Sequence, residues 1–302
     1  MTTRNIEQHE IENFVQLYDN PGDQNWMNQL FEDKETRPEW CFVIEENGKH
    51  LGKVVYFQFE GNDSEMCIFG LTLPWEGNYV EIGEKLLNES MEHVKTQTIK
   101  KLEFRCDTDD IYYQEMRAVF EKVGFQLILD KHCYVLTDFE TAYEYSTQLV
   151  FKTLDEVGEE RFIGAIKRVT VNTLDRADQN NRDILGAEEA AREYFSVLKS
   201  IDYTPHHWLL AYDTNNHLIG LVVAQLLSKK TGCINYIGVI PEYRGKHYSR
   251  DLAIKASELL RNVTSVERII AEIDTKNFPL ERTLASLQYK ESKTMWIYHR
   301  YF

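Results

Sequence analysis

Ile237-Gly-Val-Ile-Pro-Glu-Tyr-Arg-Gly-Lys-His-Tyr-Ser249 is the stretch on which the reading of this chain turns. The apolar run Cys233 to Ile240, interrupted by Asn235 and Gly238, reads as a strand, and Pro241 stops it because proline cannot donate to a sheet ladder. After the loop Glu242 to His247, residues Tyr248 to Arg261 place Leu252, Ala253, Ala256, Leu259 and Leu260 at helical spacing. Such a strand, loop and helix start aims free backbone N–H groups and the positive end of a helix dipole at one point, which suits a pyrophosphate. Arg244 and Lys246 add charge there. A charge-assisted contact contributes about 1.5–3 kcal/mol, so loss of Arg244 is expected to weaken diphosphate binding roughly ten- to a hundredfold.

Working outward, strands and helices alternate. His207 to Ala211 and Leu218 to Leu227 read as strands joined by the turn Asp213 to Asn216; Arg268 to Asp274 is a strand, Pro279 to Leu287 a short helix and Thr294 to Tyr301 a closing strand. Upstream come a strand at Leu149 to Leu154 and helices at Glu159 to Val171 and Glu188 to Leu198. The polar segment Leu174 to Gly186 is expected to be a mobile loop.

The first half repeats this order: strands Trp40 to Glu45, Gly52 to Phe59 and Met66 to Leu73, a helix from Ile82, and strand Leu102 to Asp107. WCFVIEENGKHLGKVVYF parallels WLLAYDTNNHLIGLVVAQL, LEFRCDT parallels IIAEIDT, and FEKVGFQLI parallels LASLQYKES, at an offset of about 165 residues. Two copies of one domain follow, over residues 1–142 and 143–302, with Thr137 to Gln148 as a linker or crossing strand. A length of 302 residues agrees with two cores.

IGVIPEYRGKHYSRDLA resembles motif A of the GCN5-related N-acetyltransferase (GNAT) family, V-x-P-x-x-R-G-x-G-x-G/A, and DTKNFPLERTLASLQYKE resembles its motif B. The resemblance implies an α/β (α+β) chain of two tandem GNAT domains, each a mixed, mostly antiparallel sheet flanked by helices. It implies acetyl-CoA as co-substrate, held by Ile237, Val239, Arg244, Gly245, Lys246, His247, Tyr248, Ser249 and Asn277. His247 stands where the family has glycine and Ser249 where it has glycine or alanine, which implies weakened binding. In the first half Leu73-Pro-Trp-Glu-Gly-Asn-Tyr-Val-Glu-Ile-Gly83 has Asn78 in place of the arginine and adds Glu76 and Glu81, so that copy is expected to be degenerate and not to bind the cofactor.

The reaction the resemblance implies is transfer of an acetyl group to a primary amine of a small molecule or peptide by direct attack, which needs a base for the ammonium and an acid for the thiolate. Many members use a tyrosine at the position of Leu284. Glu272 and Tyr236 are the catalytic candidates in its place, with Asp274, His206 and His207 behind them. Trp296, Tyr298 and Tyr301 are expected in the core or the acceptor wall. An alternative is a weak or inactive acyl-CoA-binding regulatory or scaffold protein, and a third is an aminoacyl-transferring relative that uses charged tRNA.

Composition bounds these readings. Residues 1–145 hold 29 acidic against 13 basic side chains, and the remainder 20 against 21, so the acid lies in the first half. That surface repels nucleic acid and favours a cationic acceptor. Hydrophobic content of 43% with no apolar run near ~20 residues predicts no membrane span. The opening MTTRNIEQHE lacks an export signal, so a cytoplasmic protein is expected. Five cysteines without C-x-x-C spacing and nine histidines without ligand spacing predict no disulfide framework and no metal.

Overall fold

The computed structural model describes residues 1–18, 21–58, 64–96 and 98–302. In chain order its elements are β1 (Thr2–Asn5), α1 (Ile11–Val15), α2 (Pro21–Glu32), β2 (Cys41–Glu46), β3 (Lys49–Phe57), β4 (Glu65–Thr72), α3 (Tyr79–Val94), β5 (Lys101–Asp107), α4 (Tyr113–Lys122) and β6 (Gln126–Leu136). There follow β7 (Val150–Thr153), α5 (Leu154–Val157), α6 (Glu159–Val169), α7 (Arg176–Leu185), α8 (Ala187–Ile201), β8 (Trp208–Tyr212), β9 (Leu218–Ser228), β10 (Thr231–Val239), α9 (Tyr248–Arg261), β11 (Arg268–Asp274), α10 (Phe278–Ser286) and β12 (Lys290–Tyr301). Phe59, expected to end its strand, lies outside the described residues.

The chain packs as two compact units, Met1–Asp130 with Met295–Phe302, and Lys131–Thr294. The boundary expected at 142/143 thus falls within the second unit. In the first unit the strand order is β1-β2-β3-β4-β5-β12, and in the second β6-β11-β10-β9-β8-β7. Met295 to Tyr301 of β12 run antiparallel to Asp107 to Lys101, while Lys131 to Leu136 of β6 run antiparallel to Asp274 to Ile269. The closing strands of the two sequence copies are therefore exchanged, each completing the sheet of the other copy. For the same reason Trp296, Tyr298 and Tyr301 belong to the first unit, where Tyr298 is fully buried and its hydroxyl accepts from Arg117 Nε at 2.7 Å.

Both sheets are antiparallel except at one place, where β4 runs parallel to β5 and β10 parallel to β11. Apolar side chains on the two faces of the second sheet make two cores. One is built on Leu252, Ala256 and Leu260 of α9 with Leu284 of α10, and the other on Phe162 and Ile166 of α6 with Phe195 and Trp208. Each fully buried large side chain contributes about 1.5–3 kcal/mol, so α6 and α9 are fixed to their faces by a single stripe each. Segment 137–149, which carries no helix or strand, is tied to this unit: the amides of Ser146 and Thr147 donate to the buried carboxylate of Asp251 at 2.8 and 2.7 Å, and Tyr143 Oη donates to the Leu287 carbonyl at 2.6 Å.

Leu174 to Gly186 differs from the loop expected there. It forms the cap and body of α7. Asp175 accepts from the amides of Ala177 and Asp178 at 2.9 and 3.1 Å, and Gly186, at φ +80°, ends the helix. No residue of α7 is fully buried, so the helix lacks the apolar stripe by which helices are read.

Candidate active site

A bulge opens the second sheet at the place where chemistry can occur. Opposite β9, Ile234 pairs with Ala224 and Tyr236 with Val223, which leaves Asn235 as the extra residue of β10. Asn235 Nδ2 donates to Gln225 Oε1 at 2.5 Å, and the buried Gln225 donates in turn to the carbonyls of Leu198 and Asp202 at 2.7 and 2.6 Å. The bulge is thereby pinned. The parallel register of β10 with β11 covers only Thr231 to Cys233, ahead of the bulge, so beyond it the strands diverge. A cleft of about 280 Å³ lies there, bordered by Tyr236, Ile237, Gly238 and Val239 of β10 and by Asn277, Pro279 and Leu280 at the start of α10.

The loop between β10 and α9 forms the outer wall of this cleft with Arg244, Gly245, His247, Tyr248 and Ser249. Gly245 has φ +76° and His247 φ +64°, both in the left-handed region. His247 therefore meets the backbone demand that glycine usually meets, at a cost of about 1–2 kcal/mol for a residue with a Cβ. Within the described residues, the amides of Tyr243 and Arg244 donate back to Ile240 and Pro241, but those of Gly245 to Ser249 have no acceptor in the protein. These donors stand at the N-terminus of a 14-residue helix, where the dipole is positive. Lys246 lies in the same loop with its ammonium 5.5 Å from the Tyr243 ring centroid, and it does not border the cleft. Asn277 caps α10, accepting from the Leu280 amide at 3.4 Å.

Arg244 is committed elsewhere than its charge alone suggests. Its guanidinium donates to the carbonyls of Val239 at 3.0 Å, Asn172 at 2.7 Å, Val169 at 2.8 Å and Val171 at 2.9 Å. Val169 is the last residue of α6, so the arginine satisfies carbonyls that a helix C-terminus leaves unpaired and places a cation at the negative end of its dipole. The loop is thereby fastened to α6. Sequence reading finds the residue but not these partners, which lie 72 to 75 residues away.

Deeper in the splay a second cavity of about 100 Å³ brings Tyr236 and Glu272 together with Asp178 of α7. Tyr236 Oη donates to Asp178 Oδ2 at 3.1 Å, and burial pushes the phenol well above its usual range. Burial first, then the neighbouring Asp175, pushes the Asp178 carboxyl up to about 7 against the opposing hydrogen bond from Tyr236. Asp178 borders both cavities, and sequence reasoning misses it because its helix reads as a loop; the Asp175 cap and Gly186 stop are the available signal.

The other candidates have structural partners. Asp274 is buried and accepts from Arg176 Nε at 2.8 Å and from the amides of Arg176 and Lys276, both at 2.8 Å. Burial opposes its charge, but these donors outweigh it and hold the carboxyl below the usual range. Asp274 thus fastens the start of α7 to the end of β11. His206 and His207 lie in the turn before β8, outside both cavities. Leu284 is fully buried in the α9 and α10 core.

Residues 173–287 match the acetyltransferase (GNAT) family. No curated protein matches the sequence. Among solved structures, a GCN5-related N-acetyltransferase from Sphaerobacter thermophilus is similar at 14% identity and a TM-score of 0.63, covering 99% of this chain and 95% of that one. A tandem GNAT protein from the clavulanic acid biosynthesis pathway is similar at 12% identity and 0.58, covering 99% and 98%. A GCN5-related glucosamine N-acetyltransferase region of a fungal multi-domain GH3 β-N-acetylglucosaminidase is similar at 13% and 0.62, covering 99% of this chain and 38% of that one. At these identities the likeness is one of fold. The fold is shared with a tandem GNAT protein over nearly the whole chain. Among the described residues no helix is long and apolar enough to cross a membrane, and no group of three His, Cys, Asp or Glu is placed to hold a metal ion.

Proposed function

Residues 173–287 being a domain of the GNAT family, we propose that this protein is an N-acetyltransferase that moves an acetyl group from acetyl-CoA to a primary amine of a small molecule or peptide. The observation that carries the reading is the row of unpartnered amides from Gly245 to Ser249 facing a cleft that continues into the splay of β10 and β11. These groups fit acetyl-CoA. The amides and the α9 dipole receive the pyrophosphate, with Lys246 adding charge at its edge. The backbone of Ile237 and the amide of Val239, on the side where β11 has turned away, receive the pantetheine arm, while the Val239 carbonyl is held by Arg244 and Asn277 faces the strand across the gap. Gly238 keeps that strand close to α6, since a Cβ there would come within 2.7 Å of Val169. The bound thioester supplies an activated acetyl carbonyl. The protein supplies orientation and exclusion of water, and a place for the amine's proton.

The first unit is proposed to bind no cofactor, its acidic surface favouring a cationic acceptor, and a cytoplasmic setting accords with five free thiols. Leu284, buried where many members carry an acid, favours a second reading in which acyl-CoA is bound without turnover. Titration calorimetry with acetyl-CoA, followed by thiol release across a panel of primary amines, tests both. Saturable uptake with amine-dependent thiol release is expected. Uptake without release would favour the second reading, and no uptake would end both.

A further inference from the structure

The inner cavity is bounded by six elements that meet only in the folded chain, α10 among them through Leu280 and Leu284. Asp175 and Asp178 come from α7 and its cap, Tyr194 from α8, Tyr236 from β10 and Glu272 from β11; Lys131 of β6 is the one cation among the described lining residues. These acids are not equivalent. Asp175 is spent on the amides of Ala177 and Asp178. Glu272 is solvent-exposed. Asp178 is half-buried, borders the outer cleft as well as the inner cavity, and has the Tyr236 hydroxyl as its hydrogen-bond partner; among the described residues no Lys, Arg or His forms an ion pair with it.

We propose that Asp178 is the base that takes the proton of the acceptor's ammonium, and that Tyr236 is the positioning residue holding its carboxylate at the junction of the two cavities. The inference rests on the acetyltransferase reading above and deepens it. The acceptor class follows from the same cavity. About 100 Å³ admits a few heavy atoms, so what enters is a compact alkylammonium or aralkylammonium arm. Its charge meets Asp178 and Glu272, and its carbons meet the rings of Tyr194 and Tyr236, whose centroids lie 4.7 Å apart.

One proton passes from R–NH3⁺ to the Asp178 carboxylate, freeing the nitrogen lone pair. The N–C bond to the acetyl carbon forms and the C–S bond breaks, with the electron pair leaving on sulfur. A second proton leaves the new amide nitrogen for that thiolate, and Asp178 returns the first to solvent. A base is most effective when it titrates near working pH, and a carboxyl raised to about 7 fulfils this where an ordinary aspartate does not. The groups facing it are Asp175, whose charge raises it, Lys131 and the Tyr236 hydroxyl, which lower it, and the neutral Tyr194 phenol; Glu272 shares the cavity wall.

The test uses the full chain with putrescine, tyramine and L-lysine as probes, reading thiol release against pH, acetyl-CoA binding by calorimetry, and the ¹³C carboxyl titration of Asp178 in the free protein. Turnover of at least one probe is expected, with kcat/KM rising through one ionisation near pH 7. Asp178→Asn should lower kcat/KM by about 10²–10⁴-fold while acetyl-CoA affinity stays within about threefold. Tyr236→Phe removes a hydrogen bond to the charged form, so both the kinetic limb and the carboxyl titration should move to higher pH. If Asp178→Asn fails to fold, the Tyr236→Phe shift and the titration decide. Retention of more than about a tenth of kcat/KM in Asp178→Asn, a carboxyl titrating near 4, an unmoved limb in Tyr236→Phe, or acetyl-CoA uptake with none of the three amines acetylated would each overturn the proposal. Failure of the wild type to bind acetyl-CoA would overturn the acetyltransferase reading beneath it.

Discussion

The connection from Thr72 to Tyr79 in the first unit and that from Val239 to Tyr248 in the second each follow the parallel-paired inner strand and lead into the long helix, yet they are built for opposite ends. In the second unit the bulge falls early, at Asn235, and the strand beyond it borders a cleft. In the first the register with β3 shifts late, between Phe69 and Thr72, and β4 stays paired with β5 through Ile68. What lies above the strand differs too. A Cβ at Gly238 would meet Val169, whereas one at Gly70 would meet the Tyr18 ring, which stacks on Phe69 at 6.0 Å. Trp75 of the shorter loop stacks on Tyr112 at 5.2 Å and packs against the first core. One unit fills with aromatic rings the space that the other leaves open as a cleft. The lesson is that a strand-loop-helix junction becomes a binding site through where its strand bends and what its neighbours leave open, not through topology alone.

That contrast can be broken experimentally, and the largest effect is expected at a pair of matched glycines. A Cβ at Gly220 would lie 2.2 Å from the Gly238 carbonyl oxygen, backbone against backbone, whereas at Gly52 it would lie 2.7 Å from the Thr72 carbonyl. Gly220→Val should cost on the order of 3–5 kcal/mol in denaturant melts and remove acetyl-CoA binding measured by calorimetry. Gly52→Val should destabilise the chain without displacing the residues that border the cleft, so acetyl-CoA affinity measured below its melting point should hold. Equal losses of affinity in both would undo the assignment of the cofactor to the second unit alone.

Arg244→Ala comes next. Four carbonyls lose a charged donor and the loop loses its tie to α6, so a stability loss of about 1–3 kcal/mol should accompany a roughly ten- to hundredfold weaker acetyl-CoA affinity. The reciprocal change, Asn78→Arg, should leave calorimetric stoichiometry at one acetyl-CoA per chain, because Trp75 and Tyr112 remain. A second site would show that charge alone separates the units.

Asp178 should be costly to the fold. Its folded carboxyl titrates at about 7 against an ordinary value of 3.8, so between those values the folded chain holds a proton that the unfolded chain has released. Stability from this group is therefore full below about pH 4 and is lost as pH rises through 7. Asp178→Asn should match the wild type near pH 4 and exceed it at pH 8 by roughly 1–3 kcal/mol in urea titrations. Greater stability of the wild type at pH 8 would reverse the sign. Smallest is His247→Gly, which removes the Cβ from a left-handed residue and should raise stability by about 1 kcal/mol or less; a loss would mean that the imidazole has a contact of its own to give.

Much of the second unit is legible in the chain. Pro241, Gly245 and the periodicity of Leu252, Ala256 and Leu260 are local signals, and they mark β10, its loop and α9 at their observed places. Of the residues expected to hold the cofactor, all but Lys246 border the cleft, whereas Asp178, which borders it too, is not read from the sequence. Less legible are partners. Asp274, a catalytic candidate by position, is instead the anchor of Arg176, and Trp296, Tyr298 and Tyr301 pack with a unit whose other strands end at Asp107, almost 190 residues earlier in the chain. α7 is hidden because it is polar almost throughout, with only Ala177, Ile184 and Leu185 apolar, and so reads as a loop.

By itself the sequence determined the repeat, the run of elements from β8 to β12 and the loop between β10 and α9, since Pro, Gly and apolar spacing act on the backbone within a few residues of themselves. Only the tertiary structure decided that Arg244 would hold α6, that the bulge at Asn235 would splay β10 from β11, and that Asp178 would meet Tyr236 across 58 positions of chain. Those contacts depend on how whole elements pack, and burial, which gives the Asp178 carboxyl its raised affinity for a proton, exists only after they have packed.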